Sequence, residues 1–388
     1  MRRGHCILVP MPATRRSFLS RCLAPVLCSA GLVEQSVLRA AQARAEARPA
    51  APRLFDIAPA APGVWLALAR PAAMLNSNAA IFEITDGLLI VDSHSKPSAA
   101  AALVAQIRLE LTRKPVRYLV NTHFHYDHAH GNNAYRALDW RVEIVASATT
   151  RQILGERGGQ AIRDSVETMR RNLEAAREQL GKARTEEQRG YYRRAAAEME
   201  AYIREMQNVT PELPDITFEE NLVLHDRVQP LHLVFRGRAH TASDICVFSP
   251  SRKAVATGDL VVGFLPGMGD GFPLEWPATL HSLGELPFAA VLPGHGGLQQ
   301  TRQRLDEMRG YIEEVVEAVV NGKRQGRTIQ ELTAAITPRA LGTLNGTSYG
   351  NYVAEMTKRY RLLPPDGDPW ESIAGGVRGN VEAIHRKT

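Results

Sequence analysis

The sequence of 388 residues predicts an α/β fold, and three observations lead to this prediction. First, short apolar segments typical of strands alternate with helical stretches, which favours sheets covered by helices. Second, histidines and aspartates cluster directly after a predicted strand. Third, a long helical segment interrupts the strand pattern, as an insertion within a larger domain would.

The strands are predicted from apolar content and from turn residues. Asp86-Gly87 between the first two segments is typical of a two-residue hairpin turn in which both central residues have positive φ. A helix is predicted over Ser98–Leu111, and Pro115 ends it. Residues 48–75, rich in Ala and Pro, are interpreted as a lead-in to the folded part. The predicted strands are Ile81–Thr85, Leu88–Asp92, Val116–Val120, Val142–Ala146, Leu231–Arg236, Asp244–Ser249, Ala254–Thr257 and Ala289–Leu292.

Residues 150–210 are predicted to form a helical hairpin that is inserted in this domain. Two stripes of apolar residues recur at steps of three and four, and Gly181–Gly190 separates them. Such stripes pack together in an antiparallel pair of helices, and we expect the pair to lean over or beside the functional cleft. The stripes are Ile162, Val166, Met169, Leu173, Ala176 and Leu180, and then Tyr192, Ala195, Met199, Tyr202 and Met206.

Residues 301–388 are predicted to be a C-terminal helical extension, because apolar residues recur at helical spacing from Leu305 to Val319. A tail that contains Gly and Pro follows. The sequence leaves the oligomeric state open.

Residues 1–47 are predicted to be an export signal, because a basic stretch, an apolar run and an Ala-rich segment follow one another. Thr14–Leu19, which contains Arg15-Arg16, resembles a twin-arginine signal and implies a periplasmic or secreted bacterial protein. No apolar run approaches the roughly 20 residues of a membrane span. We therefore expect no stable membrane insertion after the signal is removed.

The charge of the mature chain argues against a nucleic-acid partner. The net charge is +6, and the seven arginines and two glutamates of residues 1–47 contribute +5 of it, which leaves a nearly neutral body. Three cysteines also lie in the export signal: Cys6, Cys22 and Cys28. Cys246 then remains alone, in an apolar run, and is interpreted as a small buried side chain.

The segment Asn121–Asn132, directly after the third predicted strand, carries the candidate chemistry. His123 and His125 are two residues apart and can point the same way to hold one metal ion. Asp127 and His128 are offset and can reach a second ion. Imidazole suits zinc, and a carboxylate completes a more open site beside it.

This His-x-His-x-Asp-His pattern resembles the signature of the metallo-β-lactamase superfamily, and the resemblance covers residues 78–300. Three further candidates, His240, Asp259 and His295, stand near strand ends in the order that the family uses. The resemblance implies a four-layer αβ/βα sandwich as the catalytic domain, over residues 54–300. It implies that one zinc ion is bound by His123, His125 and His240, a second by Asp127, His128 and His295, and that Asp259 bridges the two.

The resemblance also implies a hydrolase with two Zn²⁺ per chain, acting on a small-molecule substrate. A hydroxide between the ions would cleave an ester, lactone, thioester or amide-type bond, with Asp127 orienting it as the catalytic residue. Asp259 stands where true metallo-β-lactamases usually carry Cys or Ser. This difference does not favour β-lactam hydrolysis, which is kept as an alternative. His125 stands where diiron redox members generally carry Glu, which favours zinc. A metal-binding protein without catalytic activity is the other alternative.

Several residues near the motif have two interpretations each. Asp92 either orients a ligand imidazole or is a turn carboxylate. His94 and His130 either support the ligands or lie on the surface. The apolar residues after Asp259 either line the cleft or are covered by the insertion; they are Phe264, Leu265, Met268, Phe272 and Trp276.

Overall fold

Two β-sheets form the framework of the protein, which the computed structural model describes for residues 53–71, 77–361 and 363–388. The export signal and its cysteines lie outside the described residues. In the first sheet, β1 to β4 are antiparallel, whereas β5, β6 and β7 add in parallel. Its strands are β1 Phe55–Ala61, β2 Val64–Ala69, β3 Ala79–Ile84, β4 Gly87–Val91, β5 Val116–Val120, β6 Glu143–Ser147 and β7 Ile216–Phe218.

The second sheet has five strands in the order β12-β11-β10-β9-β8. Only the β11–β12 pair is parallel. The strands are β8 Asn221–Leu224, β9 Leu231–Phe235, β10 Ile245–Ser249, β11 Ala254–Gly258 and β12 Ala290–Pro293. The helices are α1 Pro97–Glu110, α2 Tyr126–Ala129, α3 Asn132–Arg136, α4 Ala148–Lys182, α5 Glu186–Met206, α6 Trp276–Gly284, α7 Gln303–Arg324, α8 Ile329–Ala335, α9 Ser348–Tyr360 and α10 Pro369–Lys387.

Three apolar layers hold the two sheets and the helices together. The middle layer joins the inner faces of the sheets, for example Val120 of β5 and Val247 of β10. Leu103 of α1 packs on the outer face of the first sheet. Helices α6 to α10 cover the outer face of the second sheet, where Val255 shares one cluster with Val315. The predicted four-layer αβ/βα sandwich is therefore confirmed.

The helical insertion has an apolar core of its own. The predicted stripes of α4 and α5 face each other, with Met169 and Leu173 packed in one cluster with Met199 and Tyr202. The predicted break over Gly181–Gly190 is too long, because α5 already begins at Glu186. Thr185 caps that helix, and its side chain and that of Gln188 exchange hydrogen bonds with the backbone in a capping box.

The first predicted hairpin is present, but its turn was assigned wrongly. Ile84 pairs with Gly87, so the turn residues are Thr85 and Asp86, and neither Asp86 nor Gly87 has positive φ. Gly87 is required for space, because a Cβ there would lie 2.4 Å from the carbonyl oxygen of Pro115. The hairpin is fixed by close approach between strands and not by left-handed backbone.

Four strands were missed by the sequence prediction. β1 and β2 form an antiparallel pair within the Ala- and Pro-rich segment that was interpreted as a lead-in. β7 and β8 are only three and four residues long, too short for a clear period of two. None of the helices in the described part of the chain combines the length and apolar content that a bilayer crossing requires.

Candidate metal centre

The predicted ligands meet at one edge of the sandwich, because each follows or precedes a strand that ends there. Gly258 and Gly294 allow this convergence. A Cβ on Gly258 would lie 2.3 Å from the Thr122 hydroxyl, and a Cβ on Gly294 would lie 2.1 Å from Asp259 Oδ1. Any side chain at either position would force the strand ends apart and open the centre.

The structure brings all seven predicted ligands together. Three groups have ligand atoms that all lie within 4.8 Å of one another. The first is His123, His125 and His240, and the second is Asp127, His128 and His295; the third, His123, His128 and Asp259, joins them. Asp259 lies between them. Its Oδ2 is 3.5 Å from His240 Nε2 and 3.5 Å from His295 Nε2, and its Oδ1 is 3.4 Å from His128 Nε2.

The outer nitrogen atoms of the first group are held by hydrogen bonds. His123 Nδ1 lies 3.0 Å from the Thr122 hydroxyl, His240 Nδ1 3.1 Å from the Gly267 carbonyl oxygen, and His125 Nε2 3.0 Å from Asp270 Oδ2. The remaining nitrogens point inward, with His125 Nδ1 and His240 Nε2 only 2.9 Å apart. Such outer partners fix the tautomer and the ring direction of metal-binding histidines.

Asp92 has the same function for the second group. It is buried, and its Oδ2 lies 2.7 Å from His128 Nδ1, while Thr122 donates to it through both backbone N–H and hydroxyl. The ligand-orienting interpretation of Asp92 is therefore the one that the geometry supports. Since Thr122 also contacts His123, Asp92 orients one histidine of each group.

The donor set fits a metal centre by a test that does not depend on the family. His123 Nε2, His128 Nε2 and Asp259 Oδ1 are buried and have no hydrogen-bond partner. A buried polar atom without a partner is strongly unfavourable. Three such atoms converge on one space, and a cation coordinated by all three would explain why they lack hydrogen-bond partners.

The electrostatics of the centre point to missing positive charge. Burial lowers the pKa of His123 and lowers that of His240 to about 4, so both imidazoles are neutral as ligands must be. Burial opposes protonation of His295 too, yet Asp259 and Asp127 raise its pKa to about 9. The carboxylates thus favour a positive charge at the second group.

Hydrogen bonds also fix the loop that carries the motif. Asn121 and Asn132 exchange hydrogen bonds of 3.0 and 2.9 Å, and Asn121 donates to the His128 carbonyl oxygen. The Gly131 N–H donates to the His94 carbonyl oxygen, and a Cβ on Gly131 would lie 1.8 Å from that of Ser93. The motif loop therefore has no room to shift.

His94 and His130 are not surface residues, so that interpretation is wrong for both. His94 is fully buried, with Nδ1 2.8 Å from the Ser77 carbonyl oxygen, and burial lowers its pKa to about 3. Burial lowers the pKa of His130 to about 4. His130 and Phe124 line a cavity of about 520 Å³ beside the first group.

That cavity lies between the motif loop and the insertion. Its other walls are residues of α4 between Ile153 and Asp164, together with Asp270 and Phe272. On the other side, Tyr202 of α5 lies within electrostatic reach of Tyr126 and Asp127. The hairpin therefore lies beside the metal centre, which is one of the two placements expected from the sequence.

The apolar residues after Asp259 divide between cleft and core. Phe272 lines the cavity. Met268 and Trp276 are buried in the core beneath the C-terminal helices, and Leu265 packs against that core. The two interpretations placed these residues either in the cleft wall or under the insertion. Both are wrong for Met268, Trp276 and Leu265. Cys246 is buried and its pKa is raised to about 12 by burial, in agreement with its interpretation.

Sequence reasoning missed three residues at the centre. Ser77 donates to the Asp127 carbonyl oxygen at 2.6 Å, and Asp270 accepts from His125. Arg361, exposed at the end of α9, lies 4.9 Å above the Phe264 ring, and that ring is 5.9 Å from His295. These residues lie far from the motif in sequence, and no local pattern marks them.

Comparisons with known proteins agree with the geometry. Residues 73–316 match the sequence model of the metallo-β-lactamase superfamily. A linear primary-alkylsulfatase from Pseudomonas sp. (strain ATCC 19151) is 24% identical over 277 residues, which are 66% of this chain and 49% of the relative. The chain thus spans about half the length of that relative.

Two solved structures are similar to 67% of the chain. The metallo-β-lactamase from Pontibacter korlensis is 19% identical, with 99% of it covered and a TM-score of 0.49. TMB-1 is 18% identical, with 97% covered and a TM-score of 0.47. The family match over most of the chain, and the ligand groups at the strand ends within it, establish that this protein belongs to the metallo-β-lactamase superfamily.

Proposed function

We propose that the protein is an exported hydrolase with two zinc ions, acting on a small-molecule substrate. One observation carries the proposal: two histidine-rich groups share Asp259, and three buried atoms between them, His123 Nε2, His128 Nε2 and Asp259 Oδ1, lack hydrogen-bond partners. A single-ion site would not need a carboxylate placed between two complete groups.

Two zinc ions bound there would polarise the scissile group and supply a hydroxide nucleophile at neutral pH. Asp92 and Thr122 hold His128 and His123 in the orientation that binding requires. Although burial acts to raise it, His128 and His295 hold the pKa of Asp127 well below its usual range. Asp127 is thus ionised and can orient the nucleophile and accept its proton.

One part of the cleft beside these residues supports a substrate class. Phe124 and Phe272 give the cavity an apolar wall, which suits an ester, lactone, thioester or amide-type substrate with an apolar part. A β-lactam belongs to the same range of carbonyl compounds.

A sulfate ester is a second candidate, and Arg361 favours it. The guanidinium of Arg361 forms no ion pair or side-chain hydrogen bond with any described residue, and it stacks on Phe264 next to the second ligand group. Although the residue is exposed overall, partial burial of its guanidinium lowers the pKa of Arg361. Asp127 and Asp259 act to raise that pKa, so the guanidinium lies within electrostatic reach of both carboxylates. An anionic group is the partner that such a cation lacks, and the relative named above is an alkylsulfatase.

The main proposal is tested with protein stripped of metal and then reloaded with zinc. We expect hydrolysis of at least one member of a panel of ester, lactone, thioester, β-lactam and alkyl sulfate substrates. Activity should require zinc and fall by about 100-fold or more in Asp127→Asn. Zinc-loaded protein that is inactive on the whole panel would support metal binding without catalysis.

Arg361→Met tests the choice between neutral and anionic substrates. If an anion pairs with Arg361, the variant loses about 10-fold or more in kcat/KM for an alkyl sulfate while neutral esters are unaffected. Arg359→Met is the matched control, since Arg359 stacks on Tyr360 instead. Equal losses on both substrate classes would remove the argument for a sulfate ester.

Export completes the proposal and rests on the sequence of residues 1–47. Changing Arg15 and Arg16 to lysine should retain the precursor inside the cell with its leader uncut. Active protein that stays in the cytoplasm of the native host would contradict export. The nearly neutral body also supports a small-molecule substrate, with neither a nucleic-acid partner nor insertion in a membrane.

A further inference from the structure

The loop between β11 and α6 touches the metal centre on one side. Its Asp270 Oδ2 accepts from His125 Nε2 at 3.0 Å, and its Gly267 carbonyl oxygen accepts from His240 Nδ1 at 3.1 Å. Two of the three histidines of the first ligand group thus depend on this loop for their orientation. Within the described residues, the part of this loop beyond Asp259 makes no hydrogen bond to a side chain of the second group. Asp92 holds His128 Nδ1, and this part of the loop reaches His295 through the Gly263 N–H, which donates to its carbonyl oxygen, and through the Phe264 ring.

The other side of the same loop is fastened to the C-terminal helix α10. Asn380 is buried, donates to the Pro266 carbonyl oxygen at 2.8 Å and accepts from the Met268 N–H at 3.1 Å. Lys387, in the last turn of the helix, donates to the carbonyl oxygens of Met268 at 3.0 Å and Gly269 at 2.8 Å. It also donates to the carbonyl oxygen of Gly271.

The loop needs this attachment if Asp270 is to stay in place. The side chain of Asp270 is 66% exposed, so packing does not hold it against His125. For an exposed carboxylate with one hydrogen bond, the conformational entropy lost by the side chain and backbone offsets most of the free energy that the bond contributes. Lys387 restrains the carbonyl groups on both sides of Asp270 and so removes that freedom.

We propose that α10 is a positioning element of the metal centre. Asn380 and Lys387 hold the Pro266–Gly271 loop so that Asp270 and Gly267 orient His125 and His240. The C-terminal helices therefore contribute to metal affinity at the first ligand group, besides covering the second sheet. This inference rests on the proposed function only in that the centre binds two ions.

Lys387→Met tests the proposal, because charge and positioning predict opposite results. Removing a positive charge near a cation site favours cation binding by Coulomb's law. Loss of positioning lowers affinity, by about 10-fold or more for partners of metal-bound histidines. We expect Lys387→Met to lower the affinity for one of the two zinc ions, measured by chelator competition with metal-stripped protein. Lys387→Arg should restore that affinity.

Two controls separate this effect from general destabilisation. Lys323→Met removes a similar bond, 3.0 Å from Lys323 Nζ to the His385 carbonyl oxygen, at the same end of α10 but away from the loop. It should leave both affinities unchanged. In a His240→Ala background, which lacks the first site, Lys387→Met should no longer alter zinc binding.

The outcomes also distinguish this inference from the proposed function. Wild-type protein that binds no zinc would remove the two-zinc proposal and this inference with it. If wild-type protein binds two ions, three results would overturn the positioning role alone. Lys387→Met could weaken the binding of both ions equally, the binding of neither, or the binding of the ion that remains in His240→Ala. Weaker binding of only the ion that His240→Ala abolishes would establish the positioning role.

Discussion

Asp92→Asn should disable half of the metal centre while replacing a single heavy atom, one carboxylate oxygen by an amide nitrogen. Asp92 Oδ1 accepts from the Thr122 N–H at 2.8 Å, and Oδ2 accepts from His128 Nδ1 at 2.7 Å. Asparagine has one oxygen, so its NH₂ must face one of these two donors. If it faces His128, the imidazole moves its proton to Nε2, the atom that points into the centre.

The expected loss follows from that conflict. A buried donor left without an acceptor costs about 1–3 kcal/mol, and each ~1.4 kcal/mol is a factor of ten in an equilibrium constant. Zinc at the second ligand group should therefore bind about 10- to 100-fold more weakly. Backbone strain adds little, because Asp92 has φ of 68°, a conformation that asparagine also tolerates.

The assay is zinc titration of metal-stripped protein against a chromophoric chelator, with circular dichroism to confirm the fold. Asp226→Asn is the control, since Asp226 accepts from the backbone of Thr85 and Val228 away from the centre. It should bind zinc as the wild type does. Wild-type affinity in Asp92→Asn would refute the claim that Asp92 fixes the tautomer of His128.

Three further predictions concern the surroundings of the centre. Burial lowers the pKa of His94 to about 3 in the fold, against 6.5 for an unperturbed histidine. Its contribution to stability is therefore present above pH 6.5 and is lost as the pH falls, by about 2 kcal/mol at pH 5. Urea unfolding of metal-stripped His94→Asn should therefore show a smaller acid loss than wild type, and equal slopes with pH would contradict this. Gly131→Ala should destabilise by at least about 1–3 kcal/mol because of the clash with Ser93, whereas Gly181→Ala, with open space around it, should not; equal melting temperatures would contradict the first. Replacing Gly158–Asn208 by a short Gly/Ser linker should preserve zinc content and change substrate preference, and failure to fold would place the hairpin in the core.

Four metal ligands were predictable from a short local pattern after a strand, which contains His123, His125, Asp127 and His128. The other three, His240, Asp259 and His295, were assigned through the resemblance to the metallo-β-lactamase superfamily. The partners of those ligands were mostly not predictable. Asp270 contacts His125 across 145 positions of the chain, and Arg361 reaches the cleft from the end of α9. Such contacts arise from how helices pack on the second sheet, and hydrophobic periodicity contains no information about them.

The fold shows the same division. Strong periodicity predicted the insertion and most strands to within one or two residues, whereas β1 and β2 were missed because Ala and Pro obscure the strand pattern. The turn after Ile84 was misassigned because Gly87 was credited with conformational freedom. The structure shows that Gly87 is needed for contact with Pro115, a neighbour that becomes visible only once β4 and β5 are paired.

The most direct test of the central claim is the zinc content of purified wild-type protein and Asp259→Ala. Elemental analysis should give close to two zinc ions per wild-type chain. Asp259→Ala should lose at least one, because the carboxylate between the ligand groups offsets the repulsion between the ions. A folded wild-type protein with at most one weakly held ion, or an Asp259→Ala variant that retains two, would contradict the account.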